Sequence, residues 1–202
     1  MGLTQELGQG QQRNVSLPRT WIETQAAGLA LRLVREADDE ALFPLFADWD
    51  VIRWLSSPPW PYTRKDMQSF VREQAATDSE DAETRFAITL EQTPIGIVGV
   101  RMRPASHLQR GDGPNIGYWL GRRYWGHGYM TAALRGVVDH VFCMQPHDAI
   151  YCGAFVGNCA SLRVQEKVGF ARDGETMLYS RPRGGEFPHI NTLLTRAKFV
   201  SH

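Results

Sequence analysis

The chain has 202 residues, 22 Lys and Arg against 22 Asp and Glu, 43% hydrophobic residues and a pI near 7.0. That is enough apolar material for one sizeable core, and it excludes a disordered chain. The zero net charge gives no polybasic surface for nucleic acid or a membrane, so neither is expected as a partner. It also hides a split: residues 1–100 carry 9 Lys/Arg and 15 Asp/Glu, whereas residues 101–202 carry 13 and 7, balances of −6 and +6.

Residues 1–20 are rich in Gln and Gly and poor in periodic hydrophobics. They read as a flexible N-terminal extension, with the folded domain over residues 21–202. The opening MGLTQELGQGQQRN has no apolar segment after a basic start, and no stretch reaches the roughly 18–20 apolar residues of a membrane helix. Cys143, Cys152 and Cys159 are odd in number and lack metal-type spacing. Reduced thiols, no metal site and a cytoplasmic location are the expectation.

Leu29–Arg35 alternates as a strand, and from Asp38 a helical pattern puts Leu42, Leu45 and Phe46 on one face. Pro58, Pro59 and Pro61 make the Trp54–Pro61 segment a loop. Thr63 then caps a helix, with Asp66 three residues on and Met67, Phe70 and Val71 as its buried face. Thr84–Leu90 and Ile95–Met102 read as a hairpin around a turn containing Thr93-Pro94. Residues 104–114 form a polar loop, and Asn115–Leu120 is a strand.

A Gly-rich loop, Gly121–Gly128, leads into a helix with Met130, Leu134, Val137, Val138 and Val141 inward. Ala149–Val156 is a strand, and Asn158 caps a helix with Leu162 and Val168 buried. Gly169 stops that helix and Phe170 packs back on it. Ala171–Ser180 and Pro188–Phe199 complete an α/β domain with a mixed sheet.

The chemistry concentrates where a strand ends, Gly126 and Gly128 follow, and a helix begins at once. Several unpaired N–H groups and a positive helix end then surround one point, which suits a phosphate or pyrophosphate. Two glycines at this spacing also suit an ordinary tight turn. The nucleotide-triphosphate loop G-x-x-x-x-G-K-[ST] is absent, and so is the dinucleotide G-x-G-x-x-G, because Thr131 follows where a glycine is required.

Three strings resemble the GNAT N-acetyltransferases, and within them the RimJ/RimL branch. They are Asn115-Ile-Gly-Tyr-Trp-Leu120, Tyr124-Trp-Gly-His-Gly-Tyr-Met-Thr131 and Asn158-Cys-Ala-Ser-Leu-Arg-Val-Gln-Glu-Lys-Val-Gly-Phe170. The likeness spans about residues 29–200. It implies a single GNAT-type domain with a mostly antiparallel mixed sheet of about six to seven strands, splayed at the cofactor site. It implies acetyl-CoA as co-substrate and acetyl transfer to a primary amine, either a protein N-terminus or a small amine. Relatives of this kind are monomers or homodimers.

The resemblance also implies site residues. Trp125, Gly126, His127, Gly128, Tyr129, Met130 and Thr131 surround the pyrophosphate, whose cradle is the amides of residues 126–131. Tyr118, Trp119 and Leu120 give a strand edge to the pantetheine arm, and Asn158 lies near the thiol, a role compatible with a plain helix cap. Arg123–Gly128 fits the family's Q/R-x-x-G-x-G/A literally. Counting from the strand end instead puts Trp125 first, Gly128 central and the bulky Met130 last, where it narrows the phosphate approach.

Acids usual in the family are replaced: Asn115 and Ala132 stand where carboxylates are common, and Gln165 where a Tyr acid is common. The chain therefore also fits a catalytically silent CoA-binding module. Ser161 remains to protonate the departing thiolate, and Asp112 is the nearest carboxylate for a water-mediated base. His189 and Glu186 sit near the last strand, which in a fold of this kind can border the acceptor cleft, though both read first as surface residues; Trp49 and Trp54 read as core, and Trp60 as a pocket wall. Asp48, Asp50 and Glu73 belong to an acidic side that attracts a cationic amine.

Overall fold

A computed structural model describes residues 21–76, 83–102 and 113–200. Eight strands form one sheet: β1 (Ile22–Glu23), β2 (Leu29–Leu33), β3 (Glu83–Leu90), β4 (Thr93–Arg101), β5 (Asn115–Leu120), β6 (Ala149–Phe155), β7 (Ala171–Ser180) and β8 (Gly185–Thr195). Their order is β1-β2-β3-β4-β5-β6-β8-β7, and every neighbouring pair is antiparallel except β5 with β6. The eighth strand beyond expectation is the two-residue β1.

Alternation along the central strands divides the core in two. Phe86, Ile88, Val98, Val100 and Ile116 face α4 (Tyr129–Met144) and α5 (Cys159–Val168). Ala87, Ile97 and Trp119 face α1 (Asp39–Phe46), α2 (Trp49–Ile52) and α3 (Arg64–Ala76). Because both faces are covered, β4 is buried at seven consecutive positions. On α4, Leu134, Val137, Val138 and Val141 are fully buried. Each contributes roughly 1.5–3 kcal/mol of burial.

Local chemistry sets the element ends. Thr63 and Asp66 cap α3 reciprocally, with Thr63 N–H donating to Asp66 (2.8 Å) and Asp66 N–H to Thr63 Oγ1 (3.3 Å). Arg32 forks onto Asp38 at 2.7 and 2.8 Å, tying β2 to the start of α1. Gly169 ends α5 at φ 111°.

Three expectations are corrected. The hairpin turn is Glu91-Gln92, at φ 47° and 72°, so Thr93 and Pro94 belong to β4. Pro94 is tolerated because it pairs with Thr89 of β3 at a β-bulge, where the register shifts by one residue and the ladder is interrupted. On α5 Leu162 is only half-buried, and it is Gln165 that is buried with Val168. Strand β8 stops at Thr195 and Arg196–Val200 forms α6. There the Arg196 guanidinium donates to the carbonyls of Phe142 (2.6 Å), Gln145 (2.5 Å) and His147 (2.9 Å), binding the C-terminal end of α4.

Candidate active site

Strands β5 and β6 share a single registered pair, Asn115 with Tyr151, where Tyr151 N–H donates to Pro114 C=O (2.8 Å). Beyond it the strands part. Backbone groups alternate sides along a strand, so those of Tyr118 point the same way as Pro114 C=O, into the gap. Leu120 C=O also points there and accepts the Trp125 indole N–H (2.7 Å). The gap belongs to a cleft of about 620 Å³ lined by β5, the glycine loop, the first turn of α4 and the N-terminal half of α5.

At the loop, Gly126 and Gly128 have φ of 82° and 80°, and among the described residues no atom lies within 4 Å of a Cβ built on either. A backbone of this shape favours glycine and lets a ligand approach the main chain closely. Helix α4 starts at Tyr129, and Met130, 7% exposed, packs into the core while also forming part of the cleft wall. Tyr129 and Thr131 line the cleft. His127 does not; it is exposed and stacks on Tyr129 at 5.5 Å.

The apex of the gap is polar. Asn158 accepts Ser161 N–H (3.2 Å), which makes it the cap of α5 as well as a cleft residue. Ser161 Oγ lies 2.9 Å from the Tyr118 hydroxyl, and that hydroxyl also donates to Ser161 C=O (3.2 Å). Gln165, 1% exposed, joins them: Nε2 is 3.1 Å from Tyr118 OH, from Ser161 Oγ and from Gly153 C=O. Its Oε1 accepts the Thr192 hydroxyl (2.7 Å), which fixes the amide's orientation. Burial, then the neighbouring Cys152, pushes the Tyr118 phenol well above its ordinary value despite opposing hydrogen bonds from Ser161 and Gln165. Tyr118 is thus a standing donor, and with its proton on Ser161 C=O the Ser161 hydroxyl proton is left to turn toward the cleft.

The α1–α3 side of the cleft differs from expectation. Trp54 is a wall residue, its ring 3.4 Å from a Cβ built on Gly157. Trp60 instead packs on Trp49 at 5.1 Å, outside the cleft lining, and both are exposed. His189 is 9% exposed and lines the cleft, whereas Glu186 is on the surface. The acidic side is already engaged: Asp48 caps α2, Asp50 pairs with Arg53 (3.2 Å) and Arg122 (2.9 Å), and Glu73 pairs with Arg85 (3.4 Å). None of the three lines the cleft; its carboxylate is Glu83. Asp112 lies outside the described residues. Among those described, no group of three or more His, Cys, Asp or Glu could hold a metal, and no helix is long and apolar enough to cross a membrane.

The model of the acetyltransferase (GNAT) domain matches residues 29–171. The chain belongs to the GNAT acetyltransferase family. It is 24% identical over 160 residues to the uncharacterized N-acetyltransferase p20 of Bacillus licheniformis, covering 77% of this chain and 86% of that one. Mycobacterium smegmatis RimJ, solved in complex with CoA-disulfide, superposes with a TM-score of 0.75 at 21% identity, covering 89% and 88% of the two chains. RimL in complex with coenzyme A gives 0.70 at 18% identity, covering 89% and 97%. The resemblance to the RimJ/RimL branch is therefore borne out in the fold.

In this GNAT acetyltransferase the sequence motifs locate the loop, the strand edge and the cap, all of which line one cleft. Thr192 and Glu83 lie outside that reading, Gln165 enters it only as the residue in place of a Tyr acid, and His189 only as a surface residue. Only the α5 helical period, which places Gln165 on the face of Ser161 four residues earlier, carried a usable signal.

Proposed function

We propose that the chain moves an acetyl group from acetyl-CoA directly to a primary amine, a protein N-terminus or a small amine. The observation that carries this reading is the gap between β5 and β6, with main-chain groups of Tyr118 on one wall and the Tyr118–Ser161–Gln165 cluster at its apex. The chain fits the co-substrate at three places. The edge of Tyr118, Trp119 and Leu120 offers a strand-like ladder to an amide-bearing arm. The amides of residues 126–131, opened by Gly126 and Gly128 at the N-terminus of α4, suit a pyrophosphate. Asn158, whose carbonyl oxygen is spent on Ser161 N–H, keeps its amide N–H groups for the arm. When bound, acetyl-CoA supplies an activated thioester carbonyl.

The protein's part is to orient and to move protons. Ser161 supplies a hydroxyl proton where the thiolate leaves, and Gln165 and Tyr118 hold that hydroxyl in place. Asp112 is a further base candidate, on sequence grounds alone. Thermal unfolding with added acetyl-CoA tests binding: at 100 times Kd the native state gains about 2.7 kcal/mol. Thiol release across a panel of amines and peptides tests transfer. An unmoved transition at millimolar acetyl-CoA refutes the donor, and silence on every acceptor refutes the transfer.

A further inference from the structure

Three glycines sit on neighbouring strands of the face that carries α1–α3. Gly99 on β4 pairs with Gly117 on β5. Gly117 and Gly153 each lie two residues beyond the Asn115–Tyr151 pair, so they face one another across the opening of β5 and β6. A Cβ on Gly99 would run into the Glu83 carboxylate, and a Cβ on Gly153 into the His189 imidazole. Over Gly117 no described atom lies within 4 Å of such a Cβ. The result is a floor without side chains, with a carboxylate on one side, an imidazole on the other and open space between.

Gly117 does not have the left-handed φ that requires glycine, and no described neighbour crowds it. Neither backbone nor packing accounts for a glycine there, which leaves close approach by a ligand. The imidazole beside it is held in one orientation. His189 Nδ1 is 3.1 Å from Asn191 Oδ1, and its ring stands edge-on to Phe155 at 5.3 Å. Asn191 Oδ1 also accepts the Thr176 hydroxyl (3.3 Å). An amide oxygen only accepts, so with the Asn191 amide in this orientation the matching tautomer carries its proton on Nδ1 and its lone pair on Nε2. Opposite, Glu83 is steadied by Arg85 Nε (3.0 Å).

We infer that the acceptor amine is seated over Gly117, between Glu83 and His189, and that His189 is the base that takes its proton. This rests on the amine-acetylation reading above. Glu83 opposes the charge of the arriving ammonium. His189 Nε2 removes one proton to give the neutral amine. The amine nitrogen then bonds to the acetyl carbon as the carbon–sulfur bond breaks, and the electron pair leaves on sulfur. The second N–H proton passes to that sulfur by way of the Ser161 hydroxyl, and His189 returns its proton to solvent. The products are an amide and a free thiol.

The test is steady-state acetylation of one amine, with the acetylated product measured by mass. His189→Gln and His189→Ala are expected to lose about 10²–10⁴-fold in kcat. Imidazole in the buffer restores part of the His189→Ala loss, which a packing role would not produce. Gly117→Val is expected to lower kcat/KM for the amine by at least 10-fold. All three variants keep the thermal shift with acetyl-CoA, which shows that they fold and bind the donor. Wild-type kcat in His189→Ala, or a loss in it that imidazole leaves untouched, overturns the base. Undiminished kcat/KM in Gly117→Val overturns the seat. A wild type that acetylates nothing on the panel overturns the proposed function, whereas turnover that is indifferent to these variants overturns this inference alone.

Discussion

Replacing Gln165 with Leu tests whether the buried amide organises the apex of the cleft. The wild-type side chain serves four partners at 2.7–3.1 Å: Tyr118, Gly153, Ser161 and Thr192. After the change Tyr118 and Ser161 still satisfy each other, but the Gly153 carbonyl and the buried Thr192 hydroxyl lose these bonds. An orphaned buried group costs about 1–3 kcal/mol, so the expected loss is about 2–5 kcal/mol. For a chain of this length that lowers the Tm by roughly 5–15 °C. Urea unfolding followed by circular dichroism measures it. Adding Thr192→Val removes one orphan, so the double variant should cost about 1 kcal/mol less than the sum of the singles. A loss under about 0.5 kcal/mol, or strict additivity, refutes the reasoning.

Other predictions use independent features. Glu91-Gln92→Asn-Gly relieves two non-glycine residues at positive φ and should stabilise the protein by about 1 kcal/mol in urea unfolding. Trp125→Phe removes the 2.7 Å indole bond to Leu120 C=O that pins the loop to the strand end. Its acetyl-CoA affinity by calorimetry should fall about tenfold, equivalent to about 1.4 kcal/mol. Burial, the larger cause, holds the pKa of His140 down, with Asp139 opposing, and its Nε2 has no partner in the interior. A group that resists protonation when folded contributes its full stability above the unfolded value of about 6.5 and loses it as pH falls. His140→Phe, edge-on to Phe86, should flatten the drop in Tm between about pH 7 and 5.

What the sequence could disclose was whatever chemistry is local. Gly126 and Gly128, the Asn158 cap and the strand edge at Tyr118 lie within short segments, and each motif carries its own geometry. The hairpin turn misled because Thr93-Pro94 has turn propensity, while Glu91-Gln92 takes the positive φ under the demand of strand register. The meeting of Glu83 and His189 was hidden for a different reason. Glu83 and His189 are 106 residues apart and meet the same cleft only because β3, β4, β5, β6 and β8 are registered side by side. A one-residue slip in any of those pairings would turn a side chain to the opposite face, and no local pattern reports that. The burial of Gln165 escaped because burial is judged by apolarity, and its polar ends are satisfied by Tyr118, Gly153 and Thr192 on three separate strands as well as by Ser161 on its own helix.

The lone pair joining β5 to β6 has a mechanical side. Strands β1–β5 form one leaf and β6–β8 a second, and the single registered pair of Asn115 with Tyr151 is the ladder between them. A ligand arm laid along Tyr118 supplies rungs that the sheet itself lacks, and so becomes a ninth strand in all but covalent connection. Whether the two leaves open separately or as one unit under hydrogen exchange is then set by the occupant of the gap. With the arm bound as proposed, the molecule's rigidity would in that sense be partly made of its substrate.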